Sequence, residues 1–355
     1  MNRRRIGRYL LERYYDYKPS PFNPDEIHSA VIFVPKAIGD GMAIFPVLRA
    51  LQKRGTAKIG IVASTRNADV FEALKSEGVY VMVVPHDRDY RAVRRAAREL
   101  NHQWGKIDLC IDGTAMAVAS SPSIYFTGTL RARMNLQLSN STMKLFAPLC
   151  AEPSRLYASK SAPKSWASLM RTAGIADVPG KFELPIPQPA EQQMLPWIKQ
   201  HVNYIALNLD GSVAERTISE HKARELISEL HRLTGLKVVI PFSPAGRAKA
   251  AKLAAEFSHV SLYPESSSIL HSATIIKHAS LVISPDTAAI HIASAYDRPT
   301  LALYGKTDPV WLPQSTIQQV NFIQCPLPSA SIADYLAGFE ALFSQCHASH
   351  GNNHP

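Results

Sequence analysis

At 355 residues and 46% hydrophobic content, the chain carries enough apolar mass for two cores of ordinary domain size. No apolar run approaches the roughly 20 residues that cross a bilayer, and the Arg-rich start lacks the apolar stretch of a signal peptide, so the expected compartment is the cytoplasm. The net charge of +10 comes with no nucleic-acid motif, which points to an anionic lipid or glycolipid rather than to nucleic acid.

Residues 1–24 form a basic segment. Arg3, Arg4, Arg5, Arg8 and Arg13 are interleaved with Ile6, Tyr9, Leu10, Tyr14 and Tyr15, so a helix here would have a basic and an aromatic side. Residues 25–185 make the first expected domain. Between Ala30 and Gly113 the runs AVIFVP, KIGIVAS, VYVMVVP and IDLCID alternate with helical patterns at Pro46–Arg54, Asn67–Ser76 and Asp89–Trp104, which predicts a parallel sheet with helices on both faces. The third helical pattern carries Arg91, Arg94, Arg95 and Arg98, either a solvated face or a second attraction to polyanions. From Pro122 to Pro189 the pattern weakens, and the prolines of Pro179–Gln192 suit an interdomain connection.

Residues 186–330 make the second expected domain, where YIALNLDGS, LKVVIPFS and VSLYPES alternate with helices at Ser219–Thr234, Ala245–Phe257 and Ile269–His278. Leu281–Ser284 is then a strand, Pro285-Asp286-Thr287 supplies turn and N-cap chemistry, and Ala288–Tyr296 is a small-residue helix. Free amides at that N-terminus and the helix dipole favour an anion. One amphipathic helix is expected over residues 331–346, followed by a polar tail over 347–355. Cys110, Cys150, Cys325 and Cys346 match no metal or redox spacing and read as reduced thiols.

Two strand–loop–helix units thus suggest two nucleotide-fold halves facing each other across a cleft. The first carries Lys36 and Asp40 in KAIGDGM, with Gly39 and Gly41 on either side of the carboxylate. Asp40 is either a helix cap or a base that takes a proton from a hydroxyl nucleophile. In the second half Arg216 is placed to meet a departing diphosphate, His291 to touch a donor group or pack, and Lys306 to add a cation at the next turn. The absence of HExxH, GxxxxGK[ST], GxSxG and a full GxGxxG speaks against a zinc enzyme, a P-loop NTPase, an α/β-hydrolase and a dehydrogenase.

IGDGMAIFPVLRAL resembles the "GD…PALRAL" opening of the bacterial heptosyltransferases, glycosyltransferase family 9, and SPDTAAIHIASAYDRPTLALYGKTDP resembles that family's D-T-G-x-x-H and "GPTDP" signature. ERTISEHKARELISEL resembles the segment after the first strand of the family's second domain. The resemblance implies an α/β GT-B fold, two Rossmann-like domains with parallel sheets facing a central cleft. It also implies inverting, metal-independent sugar transfer without a cofactor. The implied donor is ADP-heptose, and the implied acceptor is an anionic lipopolysaccharide or lipooligosaccharide core met peripherally at the inner membrane.

Carried over, Asp40 matches the base, and Arg216, Asp286, Thr287, Ala288, Ala289, His291 and Lys306 fall on the donor side. Ala288 and Ala289 would present amides to pyrophosphate. Lys36, Gly39, Gly41, Arg91 and Arg94 are placed with the acceptor. Ala288 stands where the family has glycine, Lys306 where it has proline, and Ile218 and Ser219 where it has tryptophan and proline. Arg247 and Lys249 occupy the helix where an ADP-heptose enzyme would offer glutamate to the ribose. Another donor such as UDP-N-acetylglucosamine, serving a surface glycan, and a non-catalytic nucleotide-sugar-binding protein are the alternatives.

Overall fold

A computed structural model of the chain describes residues 3–114, 119–138, 143–147, 160–211, 213–264, 268–305 and 311–351. The chain divides into two compact units, Met1–Pro185 and Ile186–Pro355.

In the first unit, strands β1 (Ser29–Phe33), β2 (Lys58–Ser64), β3 (Tyr80–Val84), β4 (Leu109–Asp112) and β5 (Met134–Gln137) form one sheet in the order β3-β2-β1-β4-β5. Every pairing is parallel. The chain steps outward from β1 to β3, then returns to the other flank of β1 with β4. The switch point of this sheet therefore lies between β1 and β4, where Phe33 pairs with Asp112. β1 is buried along its whole length, as a strand covered on both faces must be. Val31 and Phe33 pack with α4 (Tyr90–Trp104) and with Phe126 and Leu130 of α5 (Ser121–Leu130). A short helix α2 (Ile38–Ala43) precedes α3 (Phe45–Arg54), and α3 packs on α6 (Ala162–Thr172). The basic N-terminal segment is helical over α1 (Arg3–Tyr15) and lies on α5.

The second unit opens with α7 (Gln188–Gln200), which begins within the stretch read as a connection and runs beyond it. Its six strands are β6 (Tyr204–Leu207), β7 (Lys237–Val239), β8 (Val260–Ser261), β9 (Leu281–Pro285), β10 (Thr300–Tyr304) and β11 (Gln318–Phe322). Their order is β11-β10-β9-β6-β7-β8, again all parallel, with the switch point between β6 and β9. Helices α8 (Glu220–Thr234), α9 (Arg247–Glu256), α10 (Ile269–Lys277) and α11 (Ala288–Ala295) connect them.

Several expectations need correction. Residues 68–77 form 3-10 turns rather than an α-helix, with Val70, Phe71 and Leu74 buried. The helix expected over 331–346 is two helices, α12 (Ile332–Tyr335) and α13 (Phe339–Gly351), broken at Gly338, whose φ of 73° is left-handed. Helix α13 runs into the stretch read as a tail. Strands β5 and β11 had no counterpart in the sequence reading. Cys110, Cys325 and Cys346 are free thiols, and Cys150 lies outside the described residues. Among the described residues no helix is long and apolar enough to cross a membrane.

Candidate functional site

In the first unit the switch point gathers polar groups from four strand ends. After β1 the backbone turns so that the Lys36 N–H donates to the Val34 carbonyl (2.8 Å). Asn67, buried completely, pins this loop by donating from Nδ2 to the Val34 carbonyl (2.7 Å), while Ser64 Oγ donates to the Lys36 carbonyl (3.1 Å). Asp40 then sits at the third position of α2, inside the helix, where it accepts from the N–H of the N-cap residue Ala37 at 3.2 Å in the manner of a capping box, so it does part of the cap's work. Burial raises its pKa above the usual carboxylate value, opposed by the Ala37 N–H and by the charge of Lys36. Lys36 itself is ion-paired with Asp87, from the loop after β3.

Asp112, at the end of β4, is fully buried. Its Oδ1 accepts from the Thr114 N–H (3.1 Å) and from Ser123 Oγ (2.9 Å), while Oδ2 has no hydrogen-bond partner among the described residues. Burial pushes its pKa up too, with Lys36 again opposing. Gly39 and Gly41 are buried within α2, and a side chain at Gly41 would meet Asn67, Phe71 and Val70. The structure thus gives Gly41 a packing reason of its own. Arg91 and Arg94 are exposed on α4, whose N-cap Asp89 accepts from the Ala92 N–H.

In the second unit the key tie is Asn208, directly after β6. Its Nδ2 lies 3.0 Å from Ser284 Oγ, 3.0 Å from Thr287 Oγ1 and 3.1 Å from the Asp210 carbonyl, holding both sides of the β6/β9 switch point together. The loop from Asp210 to Arg216 folds back tightly. The Gly211 N–H donates to Thr217 Oγ1 (3.1 Å), and a side chain at Gly211 would overlap the Arg216 backbone. This brings Arg216 to Asp286, with Nη1 2.8 Å from Oδ2. Burial raises the pKa of Asp286, and the Arg216 charge opposes the rise. Lys249 does not stand free in place of a ribose ligand: its Nζ pairs with Asp210 Oδ1 at 2.7 Å.

Thr287 caps α11, and its Oγ1 accepts from the Ala289 N–H at 3.3 Å. The Ala289 amide, read as a pyrophosphate ligand, is therefore already engaged. Ala288 is partly exposed at the head of the helix. His291 is buried, its ring centroid 5.8 Å from that of Trp311, and burial lowers its pKa to about 4. Lys306 lies outside the described residues.

Asp87, Asn67, Asp112 and Asn208 escaped the sequence reading. Asp112 and Asn208 carried a usable signal, since each is the polar residue that ends or follows a buried strand at a switch point. Among the described residues no group of three or more His, Cys, Asp or Glu is arranged to hold a metal ion.

Two parallel α/β sheets, each with polar groups at its switch point, have the architecture of the GT-B fold, and comparison with known proteins supplies the class. Residues 158–332 match the model of glycosyltransferase family 9 (heptosyltransferase). The Escherichia coli K12 protein YeeL is 36% identical over 229 residues, covering 63% of this chain and 97% of YeeL. Lipopolysaccharide heptosyltransferase 1 of Salmonella typhimurium is 39% identical over 87 residues, which is 24% of this chain and 27% of that enzyme. In fold, the chain is similar to a family 9 glycosyltransferase from Veillonella parvula (TM-score 0.70, 16% identity, 90% of this chain and 98% of that one). It is also similar to the E. coli heptosyltransferase WaaC solved with ADP (TM-score 0.65, 20% identity, 90% and 99%). The chain belongs to glycosyltransferase family 9. It is an enzyme of the lipopolysaccharide-heptosyltransferase type.

Proposed function

We propose that the protein transfers heptose from ADP-heptose, with inversion and without a metal, onto an anionic lipopolysaccharide or lipooligosaccharide core. Asp40 is the general base. It removes the proton of the acceptor hydroxyl as the new C–O bond forms at the anomeric carbon. The bond to the donor diphosphate breaks in the same step, and the nucleoside diphosphate leaves with the electron pair. Arg216 and the head of α11 meet the charge that grows on the leaving oxygens. Arg91 and Arg94, on the turn of α4 that follows the Asp87 loop, supply positive charge on the acceptor side.

The observation that carries this reading is Asp40 itself, a half-buried carboxylate with a raised pKa beside a lysine. A base works best when its pKa is drawn toward the working pH. The Arg216–Asp286 pair supports the donor side, because it places a cation beside the head of α11. A second donor remains in view for one reason: Lys249, bound to Asp210, occupies the helix expected to offer glutamate to a ribose.

The test pairs binding with turnover. ADP and ADP-heptose should raise the melting temperature of both wild type and Asp40→Ala, while the substitution lowers turnover by about 10²-fold or more. Near-normal turnover in Asp40→Ala removes the mechanism. Stabilisation by UDP or GDP compounds alone reassigns the donor, and stabilisation by no nucleotide removes the donor site.

A further inference from the structure

Helix α4 buries Val93, Ala96, Ala97 and Leu100 and turns Arg91, Arg94, Arg95 and Arg98 outward. With His102 these four arginines line one open groove. Glu99, the carboxylate in the same groove, is hydrogen-bonded to Tyr80 and Gln103. None of the four arginines has an ion-pair partner among the described residues. Other arginines of this chain do: Arg49 pairs with Glu77 and Glu183, Arg133 with Glu26, Arg224 with Glu220 and Glu256, and Arg232 with Glu229. Four like charges on adjacent turns repel one another modestly, and the one carboxylate among them, Glu99, leaves a surplus of positive charge that an external anion would relieve.

A second observation joins this ridge to the N-terminal helix. Tyr90, the first residue of α4 and one turn from Arg94, meets Tyr125 edge-on at 5.0 Å. Tyr125 meets Tyr15 at 5.5 Å, and Tyr15 meets Tyr14 at 4.8 Å. Tyr15 fills the space over Gly128 of α5, where any side chain would collide with its ring. Helix α1 docks through Leu11 and Tyr15. That leaves Tyr9, Leu10 and Tyr14 outside, 53%, 58% and 77% exposed. Arg8 is paired with Glu12, and Arg13 reaches the Tyr9 hydroxyl.

We propose that α1 and the arginine ridge of α4 form one docking surface for an anionic lipid bilayer. The ridge meets headgroup phosphates, and Tyr9, Leu10 and Tyr14 enter the interfacial layer, where amphipathic aromatic rings and leucine gain most. Protruding apolar side chains on a helix suit a soft lipid interface better than the phosphate groove of a nucleic acid. The inference extends the proposed transfer to a lipid-linked acceptor, yet its test uses neither donor nor acceptor.

The full-length protein is sedimented with phosphatidylcholine vesicles, with and without phosphatidylglycerol, over a salt series. Wild type should bind the anionic vesicles far more tightly than the neutral ones and lose most, but not all, of that binding as salt rises, since each cation near such a surface is worth about fivefold in partitioning. Replacing Arg91, Arg94, Arg95 and Arg98 together by Gln should weaken binding by about a hundredfold or more with the melting temperature unchanged. Leu10→Ser with Tyr14→Ser should remove the part that resists salt. Asp40→Ala should bind vesicles as wild type does, so failure of the catalytic reading leaves this one standing. Equal binding by the four-arginine variant overturns the proposal, as does binding to a single-stranded oligonucleotide without binding to vesicles.

Discussion

Lys36 is one ammonium with carboxylates around it from three separate segments. It pairs with Asp87, and its charge opposes the burial-driven rise of both Asp40 and Asp112. In Lys36→Met, Asp40 keeps its burial and loses a charge that favours its ionised form, so its pKa moves further up. A base is active only when ionised, and activity is lost as pH falls through its pKa. The acid limb of the kcat/KM profile should therefore shift to higher pH, whereas an unmoved limb would disconnect the two residues. Asp40, Arg216, Asp286 and Thr287 were legible because each follows a strand in a strand–loop–helix pattern. Partner choice was not legible: Asp87 reaches Lys36, and Asn208 reaches Ser284 and Thr287, across 51, 76 and 79 positions of sequence. The burial of His291 depends on Trp311 arriving beside it, which no local pattern announces.

Among the elements, those with a strong period and a good cap were readable. Helix α4 has buried residues every three or four positions behind Asp89, and α8 has the same behind Ser219. Strands β5 (MNLQ) and β11 (QQVNF) lie at sheet edges; the alternation in MNLQ lasts only four residues and QQVNF opens on two glutamines, so neither stood out as an apolar run or a sustained alternation. The Asp210–Arg216 loop is an element in its own right, since Gly211 lets it fold against its own far end. In Gly211→Ala the new methyl group must push the Arg216 backbone aside. This should cost about 1–3 kcal/mol, as overpacking commonly does, and should weaken ADP binding by moving Arg216 from Asp286. Unchanged melting and unchanged binding would show that the loop relaxes freely.

At the scale of the whole molecule, each unit has its own sheet and its own buried strands. Stability need not be uniform across such a chain, because compact units open with their own free energies. ADP should therefore slow amide exchange around 208–217 and 284–291 and leave β1 to β5 at their own rates. Equal protection of the first sheet would mean that the units open together. The two parallel α/β sheets were legible from strict alternation of strand and helix, the GT-B arrangement came only with the family resemblance, and the return stroke that creates each switch point is a tertiary choice.

The position of β6 has a consequence for how the protein is made. Its partner on one side, β7, follows after a single helix, but its partner on the other side, β9, begins only at Leu281. As the chain leaves the ribosome, the apolar strand Tyr204–Leu207 must wait with one edge open through three helices and two strands. During that wait Asn208 has neither Ser284 nor Thr287 to hold. The cradle is thus among the last features that synthesis can complete, and a nascent chain halted before β9 offers a sticky edge rather than a nucleotide site.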